Sequence, residues 1–219
     1  GPGFVRYGAA AFAAVTCRPQ ATRAVVAALV AEPAIVSVAS TTGDASLLLD
    51  VFAPSFEQLT QLLRERIDLI EGITSVTVMV VLATYREGSR WRVRALDLRQ
   101  SALLTRPRPT AARRQSPTVG HLDQKLLDAL EHDGRSPWTD LAERCATTSP
   151  TARRRIEKMI NSGRVALRCE AANALIGPIV PTTFMITAPP DELNKIGETL
   201  GRIPRCRVIE AITGRSNIL

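Results

Sequence analysis

Between residues 9 and 83 the apolar positions alternate between two rhythms. Ala9–Thr16 is a short apolar run of strand character. After Pro19, Val25, Val26, Leu29 and Val30 recur at helical spacing, and Pro33 closes that segment. Ile35–Thr42 alternates, Gly43-Asp44 is a turn signal, and Ser46–Phe52 reads as a second strand, which predicts a hairpin. Pro54 and Ser55 then open a second helix, with Phe56, Leu59, Leu62, Leu63 and Ile67 on one face and Glu71-Gly72 at its end. Ile73–Ala83 is rich in β-branched residues and reads as a strand. The order β-α-β-β-α-β is the ferredoxin-like split motif. It predicts an α+β domain with four antiparallel strands and both helices on one face.

A different pattern fills residues 121–170. Leu122, Leu126, Leu127 and Leu130 make the stripe of a helix from about Leu122 to His132, ended by Gly134. Trp138–Cys145 predicts a second helix, with Leu141 and the small Ala142 facing inward. Thr148 is placed to cap a third, where its hydroxyl would accept from a free backbone N–H, worth about 1 kcal/mol. Pro150 suits the first turn, Ile156, Met159 and Ile160 form the core face, and Gly163 stops the helix. Arg164–Glu170 follows as a strand of a small wing. Three short helices and a wing predict a winged helix-turn-helix.

The two patterns are linked by a repeat. At an offset of 171, Thr16, Pro19, Leu29, Pro33, Thr42, Gly43 and Leu48 recur as Thr187, Pro190, Leu200, Pro204, Thr213, Gly214 and Leu219. Val15, Val25, Val38 and Leu47 recur as Ile186, Ile196, Ile209 and Ile218. Seven identities in 39 positions is a modest number, but the two prolines and the Thr-Gly turn determine shape. The second copy is therefore a partial ferredoxin-like domain, lacking counterparts to residues 49–83, and its first strand would lack the fourth as a neighbour and leave an open edge. The expected organisation is a sensor-type α+β domain over 4–98, a basic proline-containing linker over 99–117, the winged helix-turn-helix over 118–170, and the partial second domain over 171–219. The same period predicts that the chain is the middle of a longer molecule with two such units.

Charge narrows the partner. The net charge of +7 resides in residues 86–116, where nine arginines stand against Glu87 and Asp97. A local excess of this kind points to a polyanion. The four cysteines form no C-x-x-C pair and the two histidines are not spaced with them as zinc ligands, so free thiols in a reducing cytoplasm are expected, with no metal and no cofactor. The longest apolar run, around Val76–Ala83, is far shorter than the roughly 20 residues a membrane helix needs. No paired catalytic carboxylates, nucleophile elbow or phosphate-cradling glycine loop is present, which argues against an enzyme.

The third helix carries the chemistry. Its N-terminal end is the part that meets base edges in this motif, and Thr148, Ser149, Thr151, Arg153 and Arg154 lie there. Arginine reads guanine through a bidentate fork. Arg155, Lys158, Arg164 and Arg168 are placed for phosphates, which give affinity without sequence information. One of the three consecutive arginines, Arg155 first, could instead pair with Glu157, Glu143 or Asp140.

Leu122-Asp123, the Leu126-Leu127-Leu130 stripe, Asp133-Gly134-Arg135, Leu141-Ala142, Thr148 through Ile156 and Gly163-Arg164-Val165 together resemble the Lrp/AsnC family of bacterial "feast or famine" regulators, and the tandem layout resembles its double-length members. The resemblance implies a cytoplasmic, nucleoid-associated transcription regulator that binds double-stranded DNA. Its sensor domains would pair through their sheets into dimers or larger homo-oligomers. It also implies an amino-acid or other small effector near the hairpin loop, here Thr41, Thr42, Gly43, Asp44, Ala45 and Ser46. The family pattern has an aspartate where this chain has Ser46 and, in the second copy, Asn217. Two other readings stay open: a haem-pathway (sirohaem-type) decarboxylase-like protein of the same fold, and an assembly module that binds no DNA.

Overall fold

A computed structural model describes residues 8–88, 120–162, 165 and 180–219. These residues divide between two compact units, one holding 8–88 with 180–219 and the other 120–162 with Val165.

The first unit begins with β1 (Ala9–Cys17), a 3-10 turn (Pro19–Ala21) and α1 (Thr22–Val30). The hairpin β2 (Ile35–Ser40) and β3 (Leu47–Ala53) follows, then α2 (Phe56–Leu62), a π turn (Leu63–Ile67) and β4 (Ile73–Arg86). The sheet order is β2-β3-β1-β4, extended by a fifth strand, β5 (Ile209–Ile212), on the outer edge of β4. Every pairing is antiparallel. The predicted split motif is therefore present, because strict alternation along β3 buries Leu47, Leu49, Val51 and Ala53 on one face. Val25 and Leu29 of α1 and Leu59, Leu62, Leu63 and Ile67 of the second helical segment close over that face. Full burial of each such side chain contributes roughly 1.5–3 kcal/mol.

Local chemistry explains the second helical segment. The Ser55 hydroxyl accepts from the Gln58 N–H at 3.1 Å and caps α2. At the other end the Asp68 N–H reaches the Leu63 carbonyl at 2.9 Å, the π spacing. The wider turn lets the adjacent Leu62 and Leu63 both face the core. Two expectations need correction. Phe56 is 62% exposed rather than part of the buried face, because it is the first helical residue and precedes the turn that meets the sheet. The helix ends at Ile67 instead of Glu71, since Gly72 (φ +101) is needed for the turn into β4, where its carbonyl accepts from the Arg18 N–H.

The repeat holds in three dimensions. Val15 faces Leu47 and Ser40 faces Leu47 in the first copy. Ile186 faces Ile218 and Ala211 faces Ile218 in the second, at the same offset of 171. β5 is thus the second copy of β2, and α6 (Leu193–Gly201) is the second copy of α1. The half-domain completes itself by borrowing. β5 runs along β4 with Val81 opposite Ile212 and Thr84 opposite Glu210. Beyond the strand, Thr213 exchanges two bonds with Val80, from its N–H to the Val80 carbonyl and from the Val80 N–H to its hydroxyl, both 2.9 Å. The covered edge is therefore that of β4. The second copy's own first strand is reduced to the bridge at Ile186 among the described residues, with Phe184 and Val180 exposed.

The second unit is a three-helix cluster: α3 (His121–His132), α4 (Trp138–Arg144) and α5 (Ser149–Asn161). Leu126, Leu141, Cys145, Ala152, Ile156 and Met159 meet at its centre, with Leu122, Leu127, Leu130 and Ile160 around them. Val165 closes the cluster, its N–H donating to the Met159 carbonyl at 3.2 Å. Apart from Val165, the wing expected over Arg164–Glu170 lies outside the described residues, as does the linker over 99–117. Among the described helices none is long and apolar enough to cross a membrane.

Candidate nucleic-acid interface

Two turns aim α5. After α3, the Asp133 carboxylate accepts from the Arg135 N–H at 2.9 Å, and the Asp133 carbonyl accepts from the Ser136 hydroxyl at 2.9 Å. Asp-Gly-Arg is therefore an Asx turn. After α4, Ala146 sits at φ +52. The Thr147 N–H reaches the Ala142 carbonyl (2.9 Å) and the Ala146 N–H the Glu143 carbonyl (3.2 Å), which is a Schellman ending with alanine where glycine is usual. The buried Ala142 lets α4 approach its neighbours.

Thr148 stands at the N-cap position with extended backbone, as expected, but its hydroxyl bonds the Thr151 hydroxyl at 2.9 Å rather than a backbone N–H. Pro150 lies in the first turn. Ala152, Ile156 and Met159 face the core, which turns Arg153, Arg154 and Lys158 outward and leaves Ser149, Thr151 and Arg155 half-buried.

The three arginines are not equivalent. Arg153 Nε donates to Glu157 Oε1 at 2.8 Å, one turn further along α5. That hydrogen bond, with the carboxylate's charge behind it, raises the guanidinium pKa further above its ordinary value. Arg155 Nη1 donates to Asp123 Oδ1 of α3, also at 2.8 Å, with the carboxylate only 15% exposed. The anticipated partners Glu157, Glu143 and Asp140 are thus replaced by Asp123 for Arg155, and Glu157 takes Arg153. Arg154 and Lys158 have no ion-pair partner among the described residues. Asp123, Arg154, Arg155, Lys158 and Met159 line a depression of about 290 Å³ beside α5. Arg164 and Arg168 lie outside the described residues. Sequence reasoning missed Asp123 as part of this surface. The available signal was its place in the first turn of α3, where an acid suits the helix dipole.

The hairpin loop is closed on itself. The Thr41 hydroxyl donates to the Ala45 carbonyl (2.6 Å), and the Thr41 N–H to the Ser46 carbonyl (3.0 Å). Ser46 gives its N–H to the Val15 carbonyl (2.9 Å), and its hydroxyl accepts from the Cys17 N–H (3.3 Å). Thr42, Gly43 and Asp44 are exposed at the tip. In the second copy Asn217 takes the place of Ser46: its Oδ1 accepts from the Ala188 N–H and its Nδ2 donates to the Ala188 carbonyl, both at 2.8 Å. Among the described residues no group of three or more His, Cys, Asp or Glu is arranged to hold a metal ion.

The described residues thus hold a helix-turn-helix with a cationic outer face and a ferredoxin-like α+β sheet. Residues 10–91 match the family model of the Lrp/AsnC ligand binding domain, and residues 121–160 match that of the AsnC-type helix-turn-helix domain. The HTH-type transcriptional regulator LysM of Saccharolobus solfataricus is 30% identical over 105 residues, 46% of this chain and 70% of that protein. An uncharacterised HTH-type transcriptional regulator of Pyrococcus abyssi is 25% identical over 105 residues, 46% of this chain and 64% of that protein. The matched stretch thus spans about two thirds of these relatives' own length. The solved structure of E. coli AsnC aligns with a TM-score of 0.34 at 23% identity, covering 35% of this chain and 52% of that one. The chain belongs to the Lrp/AsnC family. Residues 180–219 fall outside both matched ranges, and their kinship to the first sheet rests on the shared strand register.

Proposed function

We propose that this protein is a sequence-specific regulator of transcription that docks α5 in the major groove of double-stranded DNA. One observation carries the reading: Arg154 and Lys158 project from α5 without an ion-pair partner among the described residues, while the arginines on either side of Arg154 are held by Glu157 and Asp123. Arg154 is the base reader, because an unpaired guanidinium keeps both prongs of its fork for a guanine edge. Thr148, Ser149, Thr151 and Arg153 flank it at the same end. Lys158, Arg155, Arg164 and Arg168 contact phosphates.

The sensor sheets mediate homo-oligomerisation, and the exposed loop tip Thr42-Gly43-Asp44, between Thr41 and Ser46, is the place for an amino-acid or other small effector. The protein acts in the cytoplasm, on the nucleoid. Selection of bound duplexes from a random pool, followed by titration of the winner at several salt concentrations with and without amino acids, tests this reading. A consensus site and a steep fall of affinity with salt are expected. An unselected pool with a flat salt response would reject it.

A further inference from the structure

Tyr85, near the end of β4, lies against α6 of the second copy. Its hydroxyl donates to Asn194 Oδ1 at 2.7 Å. A Cβ built on Gly197 would collide with the ring at Cδ2 and Cε2, and one built on Gly201 would come 3.3 Å from the Tyr85 carbonyl oxygen. Asn194, Gly197 and Gly201 stand at i, i+3 and i+7, one line along the helix. In α1 the same repeat positions hold Arg23, Val26 and Val30. The core positions are retained instead, Val25 as Ile196 and Leu29 as Leu200. The two helices thus agree on the side that builds their own domain and differ along the line that receives Tyr85. Next to it, Arg86 Nη1 donates to the Gly201 carbonyl (2.7 Å) and the Ile203 carbonyl (3.1 Å), a cation at the C-terminal end of α6.

We propose that Tyr85 and the Asn194-Gly197-Gly201 line form a copy-selective lock, which admits the helix and hairpin of the second copy to the β4 edge and rejects those of the first-copy type. The backbone ladder between β4 and β5 cannot supply this choice. β2 has the same strand character as β5, and a free β4 edge would accept either. The discrimination comes from side-chain size: a valine at position 197 meets the half-buried tyrosine ring, and a ring that turns away gives up its hydroxyl's bond to Asn194.

The test uses the full chain and hydrogen exchange. The Val80 and Thr213 amides report the β4–β5 contact, and the β1–β3 amides serve as the folding reference. Gly197→Val, which installs the first-copy residue, should lower protection at Val80 and Thr213 by about ten- to a hundredfold and leave β1–β3 protected. Adding Tyr85→Ala to Gly197→Val should return most of the lost protection, and Val26→Gly in α1 should not lower protection at Val80 and Thr213 beyond any change in the β1–β3 reference. Wild-type protection in Gly197→Val would overturn the lock. So would a double variant no better protected than Gly197→Val, including one in which both ladders are lost together.

Discussion

Arg155 of α5 and Asp123 of α3 are joined by a 2.8 Å hydrogen-bonded ion pair across the helical cluster. The arginine is 42% exposed, so solvent screening limits the pair to about 0.5–1 kcal/mol. Asp123→Ala should lower the unfolding free energy of the helical unit by about that amount. The exchanged pair Asp123→Arg with Arg155→Asp should regain part of it, since an arginine in the first turn of α3 is opposed by the helix dipole. A thermal melt in which the double variant is no more stable than either single one would show that the bridge does not tie α5 to α3.

Arg154 should dominate sequence reading. Arg154→Ala should cost about 1–3 kcal/mol at the selected site and flatten the preference at one base position. Lys158→Ala should weaken all duplexes alike and reduce the salt slope by about one. Titration of each variant against matched and mismatched duplexes distinguishes the two roles. Equal losses on every duplex for Arg154→Ala would remove it as the base reader.

Ala146 occupies a left-handed conformation that costs an alanine roughly 1–2 kcal/mol. Glycine adopts it without that cost, at some entropic penalty in the unfolded chain. Ala146→Gly should therefore stabilise the helical unit by about 1 kcal/mol. A lower melting temperature would contradict the Schellman geometry between α4 and α5.

Ser46 and Asn217 hold equivalent hairpins to the N–H of Cys17 and of Ala188 respectively. The asparagine makes two short bonds to its partner, the serine one of 3.3 Å. Asn217→Ala should cost about 1–3 kcal/mol and Ser46→Ala about 0.5–1 kcal/mol by denaturant unfolding. Asn217→Asp keeps the acceptor but sets a carboxylate oxygen against the Ala188 carbonyl, so it should be at least as damaging as alanine. An aspartate variant as stable as wild type would mean that this position is not a staple.

Periodicity carried most of the fold because burial and rhythm agree there: Val25, Leu29, Leu59 and Ile67 are all inside. It failed at Phe56 and at Val30, which is 66% exposed. Both lie at helix ends, where the apolar stripe runs past the sheet that it covers. The repeat was visible in prolines and a Thr-Gly turn. The fate of the half-domain was not, because strand character does not say which edge a strand will join. The site was legible to the level of residue type. A run of three arginines announces a cationic helix, but which of them is tethered depends on carboxylates one turn away (Glu157) or on another helix (Asp123), and only the packing of the cluster decides that.

Because both hairpins keep one pairing scheme across an interval of 171 residues, the molecule contains its own control. A change made at a position in one half has a twin in the other, under identical solvent, temperature and chain concentration. Any difference between the twins measures what the surroundings contribute, free of the side chain's intrinsic preferences.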